Sequence, residues 1–525
     1  MKKYAEIIVN INNKELNRSF YYLIPDKLIN KIQIGQIVLI PFGNREIKGL
    51  TIGFSSKVNI KENKIKPIVK IINCESFFDN KMLILLKWMM TYYKSNFIKV
   101  LKTAIPTGII NGKVKKKRVK YVKINKPVNI IKNYIKENGK KAYKQAKILE
   151  ILLKDINKYY ISKKLIKKAD TSYSTLIRLV DKGLIEFIEK TKNRRPKIKK
   201  NNMKDNIIPT NEQMSIINNV NNSIDTGKNK VFLLHGITGS GKTEVYLQVI
   251  KYAIDNNKGA IILVPEISLT PIMVERFYKR FGNLIAILHS NLSLGERYDE
   301  WRRLKNGEAK IAIGARSAIF APVIDLGIII IDEEHETSYK QSEHPYYHAR
   351  EVALKRAKIN NIPVVLGSAT PSLESYYFAK KGIFDYQKLD KRISGNKLPP
   401  VEIINMKKEL KKGNTTILSN ILKKNIEKRL ENNEQILIFL NRRGYANFIL
   451  CKECGKAIIC NNCDITLTYH EHNNKLMCHY CNYSQTRPEK CPFCGSMYLR
   501  NFGIGTERLE QQLQNFYPEA NIDRM

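Results

Sequence analysis

Six apolar runs alternate with helical segments between about residue 210 and residue 395 of this chain. The runs are Val231–Leu234, Ala260–Val264, Leu284–Leu288, Ile311–Ile313, Gly327–Ile331 and Val364–Leu366. Continuous isoleucine, valine and leucine runs are typical of strands buried on both faces, as in a parallel sheet covered by helices. The pattern therefore predicts an α/β lobe over residues 208–395.

The N-terminal part has a different pattern, in which short β-rich runs are separated by turn residues. The runs are Ala5–Val9, Phe20–Ile24, Gln36–Ile40, Gly49–Phe54 and Ile68–Ile72. Short strands punctuated by proline and glycine predict a small β-barrel or sandwich. Residues 80–101 then repeat apolar positions at intervals of three and four, which predicts a helix. Together these elements predict a small β domain over residues 1–108.

A third pattern predicts a basic linker and a winged-helix domain over residues 109–207. Ile161–Ala169 and Thr171–Val180 have the shape of a helix-turn-helix, and Lys182–Glu186 would begin the wing. Winged helices contact proteins as well as DNA, so both kinds of partner remain open. The basic run Lys113–Lys123 is interpreted as a linker or a solvated face, with DNA contact also open.

Length and charge narrow the class of protein. A chain of 525 residues is too long for one core, so several domains are expected. Its formal net charge is +43, from 91 basic and 48 acidic residues, which favours a polyanionic partner such as nucleic acid. The N-terminus has no apolar run of signal-peptide length, and Met82–Met90 is too short to span a bilayer. We expect a cytoplasmic protein with no membrane partner.

Eight of the nine cysteines form four Cys-x-x-Cys pairs within residues 451–494. The pairs are Cys451/Cys454, Cys460/Cys463, Cys478/Cys481 and Cys491/Cys494. Two such pairs complete one tetrahedral zinc site, so eight sulfurs predict two Zn²⁺ ions, and the spacing alone permits either pairing of the pairs. Disulfides and thioredoxin-like redox chemistry are the alternatives, but nothing else suggests an oxidising compartment and four clustered pairs argue against a redox motif.

A phosphate-binding loop follows the first of the six apolar runs. Its nucleotide-binding residues are Gly236, Thr238, Gly239, Ser240, Gly241, Lys242 and Thr243. Glycines let backbone N–H groups curl around phosphate at a helix N-terminus, and Lys242 and Thr243 would reach the β/γ-phosphates and Mg²⁺. A second run ends in Asp332-Glu333-Glu334-His335, where Asp332 is the predicted Mg²⁺ carboxylate and Glu333 the predicted general base. The catalytic prediction is Lys242, Asp332 and Glu333, with ATP and Mg²⁺ as cofactors.

Several motifs together resemble the PriA family (primosomal protein N′), bacterial replication-restart DNA helicases of superfamily 2. They are Gly236–Tyr246, Asp332–Lys340 with Tyr346–Arg350, Gly367-Ser-Ala-Thr-Pro371, Leu440-Asn-Arg-Arg-Gly444, Phe20–Pro25, Pro41-Phe42-Gly43 and the cysteine pairs. The resemblance implies an ATP-dependent 3′→5′ DNA helicase that restarts stalled or repaired forks and initiates primosome assembly. It also implies a RecA-like first lobe and an incomplete second lobe over residues 396–525 that carries the zinc region.

The resemblance also implies the remaining site residues. Gln213 would recognise adenine, and a pocket for a nascent 3′ end would involve Phe20, Gly43 and Lys66. Further DNA contacts would come from Arg316, Tyr339 and Tyr347, since aromatics beside cations stack single-stranded bases. The family nests its zinc sites, with the first pair joined to the fourth and the second to the third. The implied partners are forked and single-stranded DNA, other primosome proteins and single-stranded DNA-binding protein.

One expectation concerns the C-terminus. Family members continue past Gly503–Glu507 with a motif that supplies arginine fingers, and no Gly-Arg dipeptide occurs in these 525 residues. We therefore expect either a fragment of a longer protein or a shortened one, and in both cases a chain that binds Mg-ATP but hydrolyses it near background and does not separate strands. The alternative hypotheses are a fork-binding scaffold that keeps ATP and zinc but does not unwind, and a zinc-bearing RNA helicase. The winged helix and the N-terminal domain disfavour the RNA helicase.

Overall fold

The computed structural model describes most of the chain, which divides into two compact units, residues 1–397 and 398–525. The described residues are 3–9, 18–61, 64–72, 75–106, 108–109, 114, 117–155, 158–191, 193–194, 207–265, 271–393, 395, 399–414, 416–440, 448–470, 474–502 and 506–523. None of the helices in these segments is both long enough and apolar enough to cross a membrane.

The N-terminal domain is an antiparallel five-stranded sheet followed by two helices. Its elements are β1 (Tyr4–Val9), β2 (Ser19–Leu23), β3 (Ile37–Phe42), β4 (Arg45–Ser55), β5 (Lys70–Ile71), α1 (Asn80–Tyr92) and α2 (Phe97–Thr103). The strand order is β2-β1-β4-β3-β5, and the five strands correspond to the five predicted runs. Residues 80–101 are largely helical, as predicted, but they form two helices because Lys94 adopts a left-handed φ of 48° and Asn96 caps the second one.

The middle domain has the predicted helix-turn-helix and wing. Its elements are β6 (Arg118–Ile124), α3 (Val128–Asn138), α4 (Tyr143–Leu153), β7 (Tyr160–Ile161), α5 (Ser162–Ala169), α6 (Tyr173–Asp181) and β8 (Ile185–Thr191). The interpretation of the basic run as a linker is wrong for its second half, because β6 is the central strand of the β7-β6-β8 sheet. Val122 and Ile124 supply apolar side chains to the core there, while Lys123 between them is on the other face of the strand.

The helicase-like lobe is a parallel seven-stranded sheet with helices on both faces, which confirms the predicted α/β class. Its elements are α7 (Asn211–Asp225), β9 (Val231–Gly236), α8 (Lys242–Asp255), β10 (Gly259–Leu263), α9 (Pro271–Phe281), β11 (Ile285–Leu288), α10 (Leu294–Lys305), β12 (Ile311–Gly314), β13 (Leu326–Ile331), α11 (Ala349–Asn360), β14 (Val364–Ser368), α12 (Leu373–Lys380) and β15 (Asp385–Leu389). The order is β11-β12-β10-β13-β14-β9-β15. The polar edge strand β15 is the one that the apolar pattern missed.

The N-terminal domain and this lobe share one apolar core, to which α1, α2, β13 and α11 contribute. Phe77 packs against Trp301 with ring centroids 5.3 Å apart. Beside them Glu75 accepts hydrogen bonds from Tyr298 (2.6 Å) and from Arg302 (3.0 Å). The strands of the lobe are parallel, so their carboxyl ends meet at one edge of the sheet, where ligands bind in folds of this kind.

The second unit is built from short elements. They are α13 (Met406–Lys411), α14 (Asn420–Glu431), β16 (Phe448–Cys451), β17 (Thr468–His470), β18 (Lys475–Met477), β19 (Ser484–Thr486), β20 (Leu499–Phe502) and α15 (Thr506–Phe516). Strands β16 and β20 pair antiparallel and close the cysteine-rich region, while β17, β18 and β19 form a small sheet within it. Leu509 and Leu513 of α15 pack near Leu418 and Ile426.

Candidate nucleotide, nucleic-acid and zinc sites

The phosphate-binding loop joins the end of β9 to the first residue of α8. Gly239 and Gly241 have left-handed φ angles of 82° and 86°, which curl the backbone into the conformation that a phosphate cradle needs. A Cβ on Gly241 would collide with the amide of Gln213, so a side chain there would displace it. Thr238 is exposed, Thr243 is half-buried, and the Lys242 ammonium donates to the Gly236 carbonyl (2.7 Å) across the loop.

Gln213 lies underneath this loop rather than beside it. Its side-chain carbonyl accepts from the Thr210 N–H (3.0 Å) in a capping box that starts α7, and its amide donates to the Ser240 carbonyl (3.0 Å). The side chain is 1% exposed, so it braces the loop in this structure. The buried Ser240 hydroxyl is without a hydrogen-bond partner in the described part of the chain. An unsatisfied hydroxyl inside a glycine-rich cradle fits a nucleotide phosphate.

Asp332 follows β13, two strands away from the phosphate-binding loop. Tyr246, one turn into α8, donates its hydroxyl to the Asp332 carboxylate (3.0 Å), so the loop's helix and the acidic motif are in direct contact. Burial and the neighbouring Glu333 carboxylate raise the pKa of Asp332 to about 6. A carboxyl whose charge is destabilised by burial and by a like charge is suited to bind a divalent cation, which would relieve both effects.

Unlike the neighbouring Asp332 and Glu333, Glu334 is held by hydrogen bonds and an ion pair within the protein. Its fully buried carboxylate accepts from Arg350 (2.8 Å), from the Ser372 N–H (2.7 Å) and from the Ser375 hydroxyl (2.9 Å). Burial alone would raise the pKa of Glu334, but these donors outweigh it and hold the pKa below its ordinary value. Glu334 therefore ties the acidic motif to the start of α12.

His335 joins the acidic motif to the Ser-Ala-Thr motif at the end of β14. Its Nδ1 lies 2.7 Å from the Ser368 hydroxyl, which also accepts from the Thr370 N–H (2.9 Å). Gly367 has no room for a Cβ, because the Tyr246 hydroxyl passes directly over it. The phosphate-binding loop, the acidic motif and the Ser-Ala-Thr motif thus form one hydrogen-bonded group.

The loop that follows the acidic motif, called the aromatic loop, was predicted to contact DNA through Tyr339 and Tyr347. Tyr339 and Tyr347 are each 1% exposed, so neither ring offers a free face to a base in this structure. Tyr339 donates to the Asp332 carbonyl (2.6 Å), and Arg316 donates to the Lys340 carbonyl (2.8 Å) beside the Tyr347 ring. The exposed ring of this loop is Tyr346, which is 45% exposed.

The three residues predicted for a 3′-end pocket lie around one turn of the N-terminal domain. The Phe20 ring meets the Phe42 ring edge-on at 5.5 Å, and the Arg18 guanidinium lies 5.3 Å from the Phe20 ring centroid. Gly43 follows Phe42 with a φ of 59°, and Lys66 donates to its carbonyl (3.3 Å). An aromatic face between two cations is suited to a stacked nucleotide and its phosphate.

The cysteines form two groups of four sulfurs, each within 4.8 Å of one another. Cys451, Cys454, Cys491 and Cys494 form the first group, and Cys460, Cys463, Cys478 and Cys481 form the second. This is the nested arrangement that the family resemblance implies. The sulfur separations of 3.5 Å, 3.7 Å and 3.6 Å are close to the value of about 3.8 Å expected around a tetrahedral zinc with Zn–S bonds of about 2.3 Å. Both groups fit zinc.

Parts of two motifs lie outside the described residues. They are Glu266–Thr270, from the segment Val264–Thr270 that resembles a DNA-tracking motif of superfamily 2 helicases, and Asn441–Gly444, from the segment Leu440–Gly444. Sequence reasoning also missed the residues that hold the acidic motif, namely Tyr246, Arg350, Ser372 and Ser375. Thr210 could have been found, because Thr210-x-x-Gln213 has the spacing of a capping box.

Family models match three parts of the chain: 3′ DNA-binding domain (3′BD) over residues 6–106, DEAD/DEAH box helicase over 210–377, and the PriA DNA helicase Cys-rich region over 460–485. The replication restart protein PriA of Bacillus subtilis is 37% identical over 582 aligned residues, which cover 99% of this chain and 72% of the relative. The chain belongs to the PriA family. The Haemophilus influenzae PriA protein is 36% identical and covers 97% of this chain and 68% of its own.

Membership of the PriA family makes the chain a replication-restart DNA helicase with a zinc-binding region, and favours that function over the non-unwinding scaffold. Among solved structures, RecG bound to a three-way DNA junction is 24% identical, covers 38% of this chain and 25% of the RecG chain, and has a TM-score of 0.28.

Proposed function

We propose that this PriA-family protein is an ATP-driven 3′→5′ DNA helicase that acts at stalled or repaired forks and initiates primosome assembly. The observation that carries the proposal is the contact between the phosphate-binding helix and the acidic motif, through Tyr246 and Asp332. A helicase needs these two groups together, because one holds the nucleotide phosphates and the other holds Mg²⁺ and the attacking water.

The roles of the residues follow from their positions. Lys242 would leave the Gly236 carbonyl for the β/γ-phosphates, and Thr243 and Asp332 would hold Mg²⁺. Bound Mg²⁺ neutralises phosphate charge. Glu333 is half-buried next to Asp332 and would take the proton of the attacking water. Gln213 would set the shape of the loop, and it would contact the adenine only after releasing the Ser240 carbonyl. His335 and Ser368 would pass changes at the phosphate to the Ser-Ala-Thr motif.

DNA contacts would come from two separate surfaces. Phe20, Gly43 and Lys66 would receive a nascent 3′ end, and Arg316 would position the aromatic loop with Tyr339 and Tyr347 in its base. We add Tyr346, because it is the exposed ring of that loop. Other primosome proteins, single-stranded DNA-binding protein and a cytoplasmic location remain predictions from the family, as does the division at residues 108, 207 and 395.

Unwinding of labelled partial duplexes with Mg-ATP tests this proposal. Duplexes with a 3′-tailed loading strand should be separated and 5′-tailed ones should not, and Lys242→Ala should lose nucleotide binding and unwinding. The matched control is Lys251→Ala, an exposed lysine on the same helix, which should behave as wild type. Forks with a 3′-hydroxyl should bind more tightly than forks with a 3′-phosphate at fixed salt, and Phe20→Ala should remove the difference.

Unchanged nucleotide binding by Lys242→Ala would contradict the assigned site, and separation of 5′-tailed duplexes would contradict the polarity. Equal affinity for the two forks would contradict the 3′-end pocket. Hydrolysis near background and no strand separation by the wild type would contradict the proposed ATP-driven activity.

A further inference from the structure

The two ends of the aromatic loop meet at Lys340 and His348, which form a narrow neck. The N-terminal domain contacts this neck. Lys340 and His348 pair across the neck in an antiparallel bridge, and the Gln341 N–H donates to the Tyr347 carbonyl (2.9 Å) just beyond it. The exposed Tyr346 lies in the tip that this pairing closes off. A ligand that moves the tip must therefore act through the neck.

Tyr93, the residue that caps the C-terminus of α1, contacts both sides of the neck. Its hydroxyl accepts from the His348 N–H (3.2 Å) and lies 3.5 Å from the His348 carbonyl. On the other side the Lys340 ammonium lies 5.7 Å from the centroid of the Tyr93 ring. Burial raises the pKa of Tyr93 to about 12, so its hydroxyl keeps its proton near neutral pH.

His348 also connects the neck to the acidic motif, through the first turn of α11. His348 caps α11, where its Nδ1 accepts from the Arg350 N–H (3.2 Å). Two residues after His348, the Arg350 guanidinium holds the Glu334 carboxylate (2.8 Å) and the Ser372 hydroxyl (2.6 Å). A shift of the His348 backbone must therefore move the helix start that positions Arg350, and with it the donors around Glu334.

We propose that Tyr93 is a positioning residue that links the N-terminal domain and the neck of the aromatic loop to Glu334, and so couples nucleotide binding to DNA binding. This inference rests on the proposed ATP-driven function and adds a residue from outside the helicase lobe. Coupling between two binding sites is reciprocal, so it can be measured without hydrolysis, as the change in DNA affinity that a nucleotide causes.

The test is DNA binding with and without the Mg complex of the β,γ-imido analogue of ATP. Anisotropy of a labelled fork with a 3′-hydroxyl gives the ratio of the two affinities at fixed salt. Tyr93→Phe keeps the ring and removes the hydroxyl, and it should reduce this ratio about three- to tenfold, which is what one hydrogen bond is worth. Nucleotide affinity without DNA should stay as in the wild type, and the melting temperature should fall by no more than about 5 °C.

Two comparisons make the result decisive. Tyr92→Phe removes the neighbouring hydroxyl from a ring that is 55% exposed, and should leave the ratio unchanged. Ser375→Ala loosens Glu334, and combining it with Tyr93→Phe should give less than the product of the two effects, because both act on one path. A wild-type ratio retained by Tyr93→Phe, or a wild type with no coupling, would overturn the inference. A wild type that binds no nucleotide would instead overturn the proposed function.

Discussion

The nucleotide-binding lobe and the cysteine-rich region each bring several polar side chains together at a binding site. Different interactions hold these side chains in place in the two regions. In the lobe, the ligands follow strands that are completely buried: every residue of Ile328–Ile331 is 0% exposed. The site is therefore positioned by apolar burial and by hydrogen bonds such as those to Glu334. Lobes of this kind form their ligand sites before any ligand arrives.

The cysteine-rich region has strands of only three or four residues and a small apolar core. The sulfurs themselves make up part of that core, since Cys451 and Cys460 are 0% exposed and Cys478 is 1% exposed. Thiolates that converge without an ion would repel one another. The region therefore depends on metal for the cohesion that the lobe gains from isoleucine, valine and leucine.

The largest effect should follow from removing one zinc site. The double variant Cys460→Ser/Cys463→Ser should lower the zinc content from two ions to one per chain, because it removes two ligands of the second group. Structural zinc contributes about 10–16 kcal/mol in small domains, so the region should become sensitive to proteolysis. Elemental analysis and limited proteolysis measure both results.

The control for the zinc prediction is Asn461→Ser, an exposed residue of the same turn, which leaves all eight sulfurs in place. Nucleotide binding by the lobe should survive in both variants. One zinc ion or none in the wild type would contradict the two-zinc assignment, and a protease-resistant double variant would contradict the idea that the metal replaces an apolar core.

The two regions also differ in how far the sequence predicts them. The six buried strands of the lobe could be read from their composition, since only a strand covered on both faces is apolar throughout. The edge strand β15 could not, because Asp385–Leu389 is partly solvated and polar. Basic composition likewise predicted a linker or solvated face for residues 118–123, although Val122 is buried there and this segment forms a central strand.

For the sites, local motifs were predictable and tertiary contacts were not. The spacing of four cysteine pairs fixes two zinc sites, but spacing leaves their pairing open, and the nested groups depend on how β16 meets β20. The Arg350–Glu334 pair spans sixteen residues with no local pattern to mark it. The burial of Tyr339 and Tyr347 was likewise hidden, because aromatic composition does not distinguish a stacking surface from a packed loop.

The second prediction concerns the ion pair between Arg350 and Glu334 in the lobe. Its removal is the counterpart of removing zinc ligands from the cysteine-rich region. Arg350→Met leaves the fully buried Glu334 carboxylate without its cation, which should destabilise the lobe by about 3–5 kcal/mol. The matched control is Lys388→Met in the exposed pair with Asp390, which should change stability little. Thermal unfolding compares the two, and equal melting temperatures would contradict the role given to the buried pair.

The smallest expected effect is a pH dependence that belongs to the lobe alone. Burial, together with Arg350 and Lys340, lowers the pKa of His348 from 6.5 to about 4, so the folded state keeps a neutral ring whose Nδ1 can cap α11. Because the folded pKa is the lower one, the stabilisation is complete above pH 6.5 and is lost as the pH falls toward 4. The loss should be on the order of 2 kcal/mol.

His348→Asn separates this effect from the acid lability of the zinc sites. Asparagine caps a helix well but does not titrate, so the variant should lose less stability than the wild type between pH 6.5 and pH 4.5. Protonation of the zinc thiolates affects both proteins equally, and it cancels when the two melting curves are subtracted. Identical pH profiles would contradict this prediction, because they would show that titration of the His348 ring does not contribute to stability.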